Sequence, residues 1–360
     1  MNLSARWRWY LALWLLAGSR AWACAICAPS DAQNTLVHHL FAADAVVLAS
    51  PEVSGVGWRA LEAIKGGLPK APIAPVALAP GVTGAAPSAT QLLAYSAGSQ
   101  SWRALGPLSR SRADWARRLL AMRRAVDTLG EAWPQRVAFF VADLENAEGL
   151  VAQAAYEEIS VAPYSVMRSL KPMLDPSKLT QWLARPELAM RRPLYTLLLG
   201  MVGDEAAAAT LQAKLLGPTS AWHVGEQSAL FAAYLEIRGS GGLDWVERQI
   251  LRDPERPEQD QQAALMALSV HANDGARITK DRVVLAYASF IRHNPARAGL
   301  VASDLGNWER WEFVPDFAAI LKSGIPQAFA VRYSMVFYLM RSPTPAAREA
   351  LQALRSANLL

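Results

Sequence analysis

The sequence predicts an α+β protein in which a small β-rich N-terminal module is followed by an α-solenoid of helical hairpins. Three observations carry that reading. Between about Asp44 and Ser109 short apolar runs are punctuated by Gly and Pro, the pattern of strands and turns. From Arg112 onward apolar residues recur every three or four positions, the spacing of one buried helix face. Helix–turn–helix segments begin near Asp204, Leu243 and Arg282, about 39 residues apart, and a fixed period of that length marks stacked repeats. The expected division is residues 1–23 as a leader, 24–110 as the β-rich module, 111–132 as a linking helix and 133–360 as the repeat domain.

The leader comes first. Arg6 and Arg8 precede the apolar run Tyr10–Gly18, which ends in Ala21-Trp22-Ala23. That order of basic region, apolar region and small-residue cleavage site is a secretory signal peptide. The run is about half the roughly 20 residues a spanning helix needs. Cleavage after Ala23 places the mature start at Cys24 and the protein in the periplasm or outside the cell, with no transmembrane segment in the mature chain. It also changes the charge. Without Arg6, Arg8 and Arg20, the 36 basic residues become 33 against 31 acidic ones, a formal +2. The remaining basic residues come as scattered pairs such as Arg117-Arg118 and Arg191-Arg192, so no nucleic-acid partner is expected.

Cys24 and Cys27 are the only cysteines, and three chemistries compete for them. In an oxidising compartment they can close a short disulfide that stiffens the N-terminus and little else. As a dithiol they would make the protein a periplasmic thiol–disulfide or electron carrier, which needs a thiol pKa lowered by its surroundings. As a lipoprotein, Cys24 would carry a lipid anchor in the outer membrane, making the protein a tethered assembly factor; Ala21 and the bulky Trp22 fit that signal poorly. Haem attachment is excluded, because Ala28 stands where C-x-x-C-H needs histidine.

Within the module, Ala45–Ala49, Trp58–Ile64, Ala74–Leu78 and Gln91–Tyr95 read as strands, and Leu68–Ala89 reads equally well as a loose loop. Trp115, Leu119, Met122 and Val126 then mark a helix, as do Val137, Phe140, Val141 and Leu144. One helix should end near Asn146 and another run from Glu148. Further helices are expected at 204–216, 228–237, 243–251, 261–272, 282–291, 313–321 and 326–340. Arg238-Gly-Ser-Gly-Gly242, Asp253-Pro-Glu-Arg-Pro257, Asn273-Asp-Gly275 and Asn294-Pro295 are the turns between them.

From Trp133 to the end, these helical pairs resemble HEAT-type repeats, which implies a fold more than a function. The N-terminal third resembles the netrin-like or TIMP-like OB barrel through Cys24, Cys27 and Pro29, then Ala43–Ala49 and Ile64-Lys65-Gly66. It departs from that group in having Cys-x-x-Cys and no distant cysteine partners, so metalloprotease inhibition is not implied. The whole chain is similar to exported bacterial proteins of uncharacterised function that join two such parts, with Ala155–Glu158 and Ala162-Pro-Tyr164 near the junction.

Catalytic signals are sparse, and no catalytic residue, cofactor or metal site is expected. His38 and His39 are neighbours whose side chains diverge by about 100° on a helix, a surface pair on Asn34–Phe41. His223, His271 and His293 stand alone, and no phosphate-binding or nucleophile-elbow motif occurs. Gly239–Gly242 reads as helix termination. Glu157-Glu158 point apart on a helix and do not form a carboxylate dyad. Trp308-Glu-Arg-Trp311 is the densest aromatic cluster after the leader. Trp308, Arg310 and Trp311 could form a binding surface, or the two tryptophans, three apart on one helix, could pack into the stack. The expected function is an exported binding or scaffolding protein of the cell envelope whose partner is another envelope protein.

Overall fold

The computed structural model describes residues 26, 35–52, 56–76, 90–126, 133–217, 224–273 and 277–360. Ala21, Ala23, Cys24 and Cys27, and with them the leader and every reading of the cysteine pair, lie outside the described residues. The chain divides into two compact units, one running to Val166 and one from Met167 to Leu360, with Ile26 counted in the second. The first unit therefore reaches well past Trp133, where the sequence placed the start of the repeats.

In the first unit, helix α1 (Leu36–Ala42) turns Leu36, Val37 and Leu40 inward, and the hydroxyl of Thr35 caps it by accepting from the His38 amide. Four strands follow: β1 (Ala45–Pro51), β2 (Trp58–Lys65), β3 (Gln91–Ser96) and β4 (Ser101–Pro107). They form an antiparallel sheet of order β2-β1-β3-β4. β1 is central and Val46–Ala49 are fully buried, as expected of a strand covered on both faces. Val47, Ala49, Leu93 and Ala104 share one side of the sheet with Ile73. β2 and β4 are the outer strands of this sheet.

Of the two readings of Leu68–Ala89, the described residues fit the loop rather than the strand Ala74–Leu78, and one further strand was not expected. Ile73 only bridges Trp58, and 74–76 are not strand, because Pro75 has no amide to give a ladder. Ala77 and Leu78 lie outside the described residues. The fourth strand is instead Ser101–Pro107, paired with β3 from Ser96↔Ser101 to Gln91↔Pro107.

α2 (Ala113–Val126), α3 (Trp133–Val141) and α4 (Gly149–Ser160) complete this unit. The indole of Trp115 in α2 donates to Asp143 at 2.8 Å and packs against Phe139 and Phe140 of α3. α4 packs on α3, α1 and β4. These contacts explain why α3 and α4 belong with the sheet rather than with the later helices. The chain then passes through α5 (Tyr164–Arg168) into the second unit.

The second unit is helical: α6 (Pro176–Leu183), α7 (Arg192–Val202), α8 (Glu205–Leu216), α9 (Val224–Val246), α10 (Glu258–Asn273), α11 (Lys280–His293), α12 (Ala302–Asn307), α13 (Val314–Lys322), α14 (Phe329–Arg341) and α15 (Pro345–Ser356). Asp175, Asp204, Thr279 and Thr344 cap α6, α8, α11 and α15 through their side chains, the residue types that satisfy the free amides of a first turn. α9 holds two expected helices, because Gly239 breaks it with φ 55° and ψ −137°, a backbone only glycine adopts readily. α9 packs on α7, α8 and α10, and α10 on α11. α14 lies against α12, α13, α15 and the 3-10 turn Pro295–Val301.

Polar side chains lock the turns between these helices. Gln261 Nε2 donates to the carbonyl oxygens of Asp253 and Ile250 and to Asn294 Oδ1. Asn294 Nδ2 in turn reaches the Leu251 carbonyl at 2.6 Å. At Gly200 a β-carbon would fall 2.5 Å from Ala233 Cα, so glycine sets how closely α7 and α9 approach.

Candidate functional site

The cluster singled out in the sequence, Trp308, Arg310 and Trp311, is brought together but not on one helix. Trp308 is the C-cap of α12, Glu309 takes a positive φ of 58°, and Trp311 opens a 3-10 turn. All three are half-buried. Trp308 stacks on Tyr287 with ring centroids 5.5 Å apart and donates to Asn273 Oδ1 at 2.7 Å. Arg310 pairs with Asp281 at 2.6 Å and Glu312 at 2.7 Å, and Trp311 packs on Tyr338. Trp308 and Arg310 are engaged through their polar atoms and Trp311 through its ring, joining α10, α11 and α14 around the α12–α13 connection.

His38 is exposed and His39 half-buried, with Arg103 Nη1 3.3 Å from His39 Nε2. His293 Nδ1 lies 2.8 Å from the Ser289 carbonyl oxygen, and His223 is outside the described residues. Glu157 and Glu158 do more than point apart. Glu157 accepts from the Leu36 amide at 2.8 Å and Glu158 from the Thr35 hydroxyl at 3.3 Å, so both carboxylates serve the start of α1. Glu158 is 1 % exposed and pairs with Arg136. Burial raises its pKa against the opposing pull of that guanidinium.

Arg168, Lys171, Glu236 and Arg277 line a cleft of about 80 Å³ beside Gly200 and Gly203. Arg168 donates to Glu236 at 3.3 Å, and Arg277 to the Ile237 carbonyl at 3.1 Å. Fully buried His271 lies behind Glu236, with Nδ1 3.9 Å from it and Nε2 3.0 Å from the Ala232 carbonyl oxygen. Burial lowers its pKa, with Glu236 opposing and Arg168 assisting. A histidine depressed in the folded state contributes stability that is present above its ordinary pKa of about 6.5 and lost as pH falls through the lower folded value. Urea midpoints from about pH 7.5 to about pH 5 are therefore expected to fall for the native chain and to fall less for His271→Gln. Equal slopes for the two proteins would show that His271 is not the group responsible.

The outer face of α14 is different in kind. Phe329 is 83 % exposed, Tyr333 58 %, Phe337 43 % and Met340 60 %, while Val331, Met335, Tyr338 and Leu339 fill the inner face. The three aromatic rings stack in sequence, each pair of centroids 6.2 Å apart, and the Arg341 guanidinium lies 5.8 Å from the Phe337 centroid. No known protein family, curated protein or solved structure matches the chain. The function must therefore be argued from such geometry. Single exposed apolar residues are ordinary, whereas contiguous exposed apolar patches are the kind of surface through which proteins interact.

Reading the sequence missed this row. The segment 326–340 was expected only as a helix, and its apolar residues served equally well as core. The signal was present: Phe329, Tyr333, Phe337 and Met340 make a second apolar stripe on a helix that already has one. Among the described residues, no three of His, Cys, Asp or Glu come together as metal ligands do, and no helix is long and apolar enough to cross a membrane.

Proposed function

We propose that this is an exported binding or scaffolding protein of the cell envelope, an OB-like module followed by a HEAT-like stack, which docks through the outer face of α14. The observation that carries the docking reading is the exposure of Phe329, Tyr333, Phe337 and Met340 side by side. Leaving such side chains in water forgoes the roughly 1.5–3 kcal/mol that burying each one would contribute, and a docked surface recovers it. The repeat reading is supported by helices that pack on the helices one or two places away in sequence, the local arrangement that gives repeat proteins an extended rigid surface. Export is supported by the leader-like residues 1–23.

A photo-cross-linking residue at Tyr333, and separately at the isolated exposed Leu285, tests the proposal in cells that produce the protein. Envelope adducts are expected from position 333 and not from 285, on a chain whose N-terminal peptide begins at Cys24. Absence of adducts at 333, or the same adducts at both positions, would end the docking reading. A recovered chain still beginning at Met1 would end the export reading.

A further inference from the structure

We infer that the occupant of the α14 face is an anionic lipid surface, on which the helix lies with its aromatic row inserted among the headgroups. This rests on the docking reading above and names the partner for that same face. The row supplies the apolar half of the argument and charge supplies the other half. From Phe317 to Leu360 the chain carries Lys322, Arg332, Arg341, Arg348 and Arg355 against a single acid, Glu349. Among the described residues none of these five cations is in an ion pair, whereas Arg282, Arg297 and Arg310 of the same unit all are.

Two of the five bracket the row. At about 100° per residue, Phe329, Tyr333, Phe337 and Met340 occupy one strip of the helix, with Arg332 on one flank and Arg341 on the other. Arg332 and Arg341 donate to backbone oxygens, of Leu359 and Gly306 respectively, which hold the side chains without neutralising them. An apolar strip flanked by guanidinium groups matches a phosphate-bearing bilayer surface in both of its components. The rings enter the boundary of headgroups and acyl chains, and arginine meets phosphate oxygens with a planar fork of donors.

A second copy of the chain fits less well, because it would bring one uncompensated basic end against another. A protein groove would need to supply acids on both flanks of a ridge of stacked rings that stand 83 %, 58 % and 43 % exposed. A lipid surface deforms around such a ridge and supplies anions on every side.

The test is co-sedimentation of the full mature chain with vesicles of phosphatidylcholine alone and of phosphatidylcholine containing phosphatidylglycerol. The protein is expected to pellet with the anionic vesicles, to be released by salt, and to stay in solution with the neutral ones. Phe329→Ser with Tyr333→Ser should abolish pelleting without moving the thermal midpoint, since both side chains are exposed. Arg341→Gln should weaken binding about fivefold, the effect of one arginine near an anionic surface, and Arg341→Lys should restore it. Equal pelleting with both vesicles, or pelleting that survives the serine variant, overturns the proposal. No pelleting alongside persistent protein adducts at position 333 also overturns it while leaving the docking reading intact. No pelleting and no adducts removes both.

Discussion

Gly299→Ala is expected to destabilise the helical unit by about 3 kcal/mol, the upper part of the range for overpacking a closed core. A β-carbon at Gly299 would stand 2.0 Å from the carbonyl oxygen of Val331 and 2.7 Å from its carbonyl carbon. Both are backbone atoms in the first turn of α14, so no side chain can rotate away. The helix itself must retreat, and with it the packing of Val331 and Met335. For a unit of this size the thermal midpoint should drop by about 6–12 °C. Gly241→Ala is the control. Nothing lies within 4 Å of a β-carbon there, and alanine is the better helix former, so the midpoint should hold or rise. If both variants melt alike, the close approach of α14 to the Pro295–Val301 turn is wrong.

Arg136→Met is expected to cost about 3–5 kcal/mol near neutral pH, the usual effect of stripping the partner from a buried charge. Glu158 is 1 % exposed and Arg136 15 %. The guanidinium also lies 5.4 Å from the ring centroid of Phe41 and 5.3 Å from that of Trp133. The loss should depend on pH with a definite sign. Burial already raises the Glu158 pKa, and Arg136 is the largest influence holding it down. Removing Arg136 raises the folded value further while the unfolded value stays ordinary. A carboxyl group raised on folding is stabilising below its unfolded pKa, and that contribution is lost as pH climbs towards the folded value. The gap between variant and native chain should therefore be widest at neutral pH and narrow below about pH 4.5, where Glu158 is protonated in both. Denaturation curves at the two pH values decide it. A gap that widens in acid would show that Glu158 does not carry the effect.

Much of the fold was legible because its signals are local. β1, β2 and β3 are apolar runs bounded by turn residues, and the breaks at Gly239, Asp253–Pro257 and Asn294 each rest on a residue whose chemistry stops a helix. β4 was not legible, since Arg103 and Gly106-Pro107 interrupt its apolar content and its partner strand supplies the register. The boundary at Val166 was hidden for the same reason: helical periodicity in α3 and α4 says that one face is buried, not what covers it. The Trp308–Trp311 cluster differs from its sequence pattern in a third way. Trp308 and Trp311 stood out by residue type, yet the positive φ at Glu309 separates them and their neighbours engage them. The α14 row is made of ordinary core residues, and only the fold reveals that they face outward.

The start of α1 also bears on the order in which the chain acquires its shape. Thr35 and Leu36 find their partners in Glu158 and Glu157, 123 and 121 residues further on. A helix of seven residues is too short to persist alone in water, and closing so long a loop is entropically slow. The first helix among the described residues is thus among the last to be completed, because the carboxylates that hold its start arrive only once α4 has been synthesised.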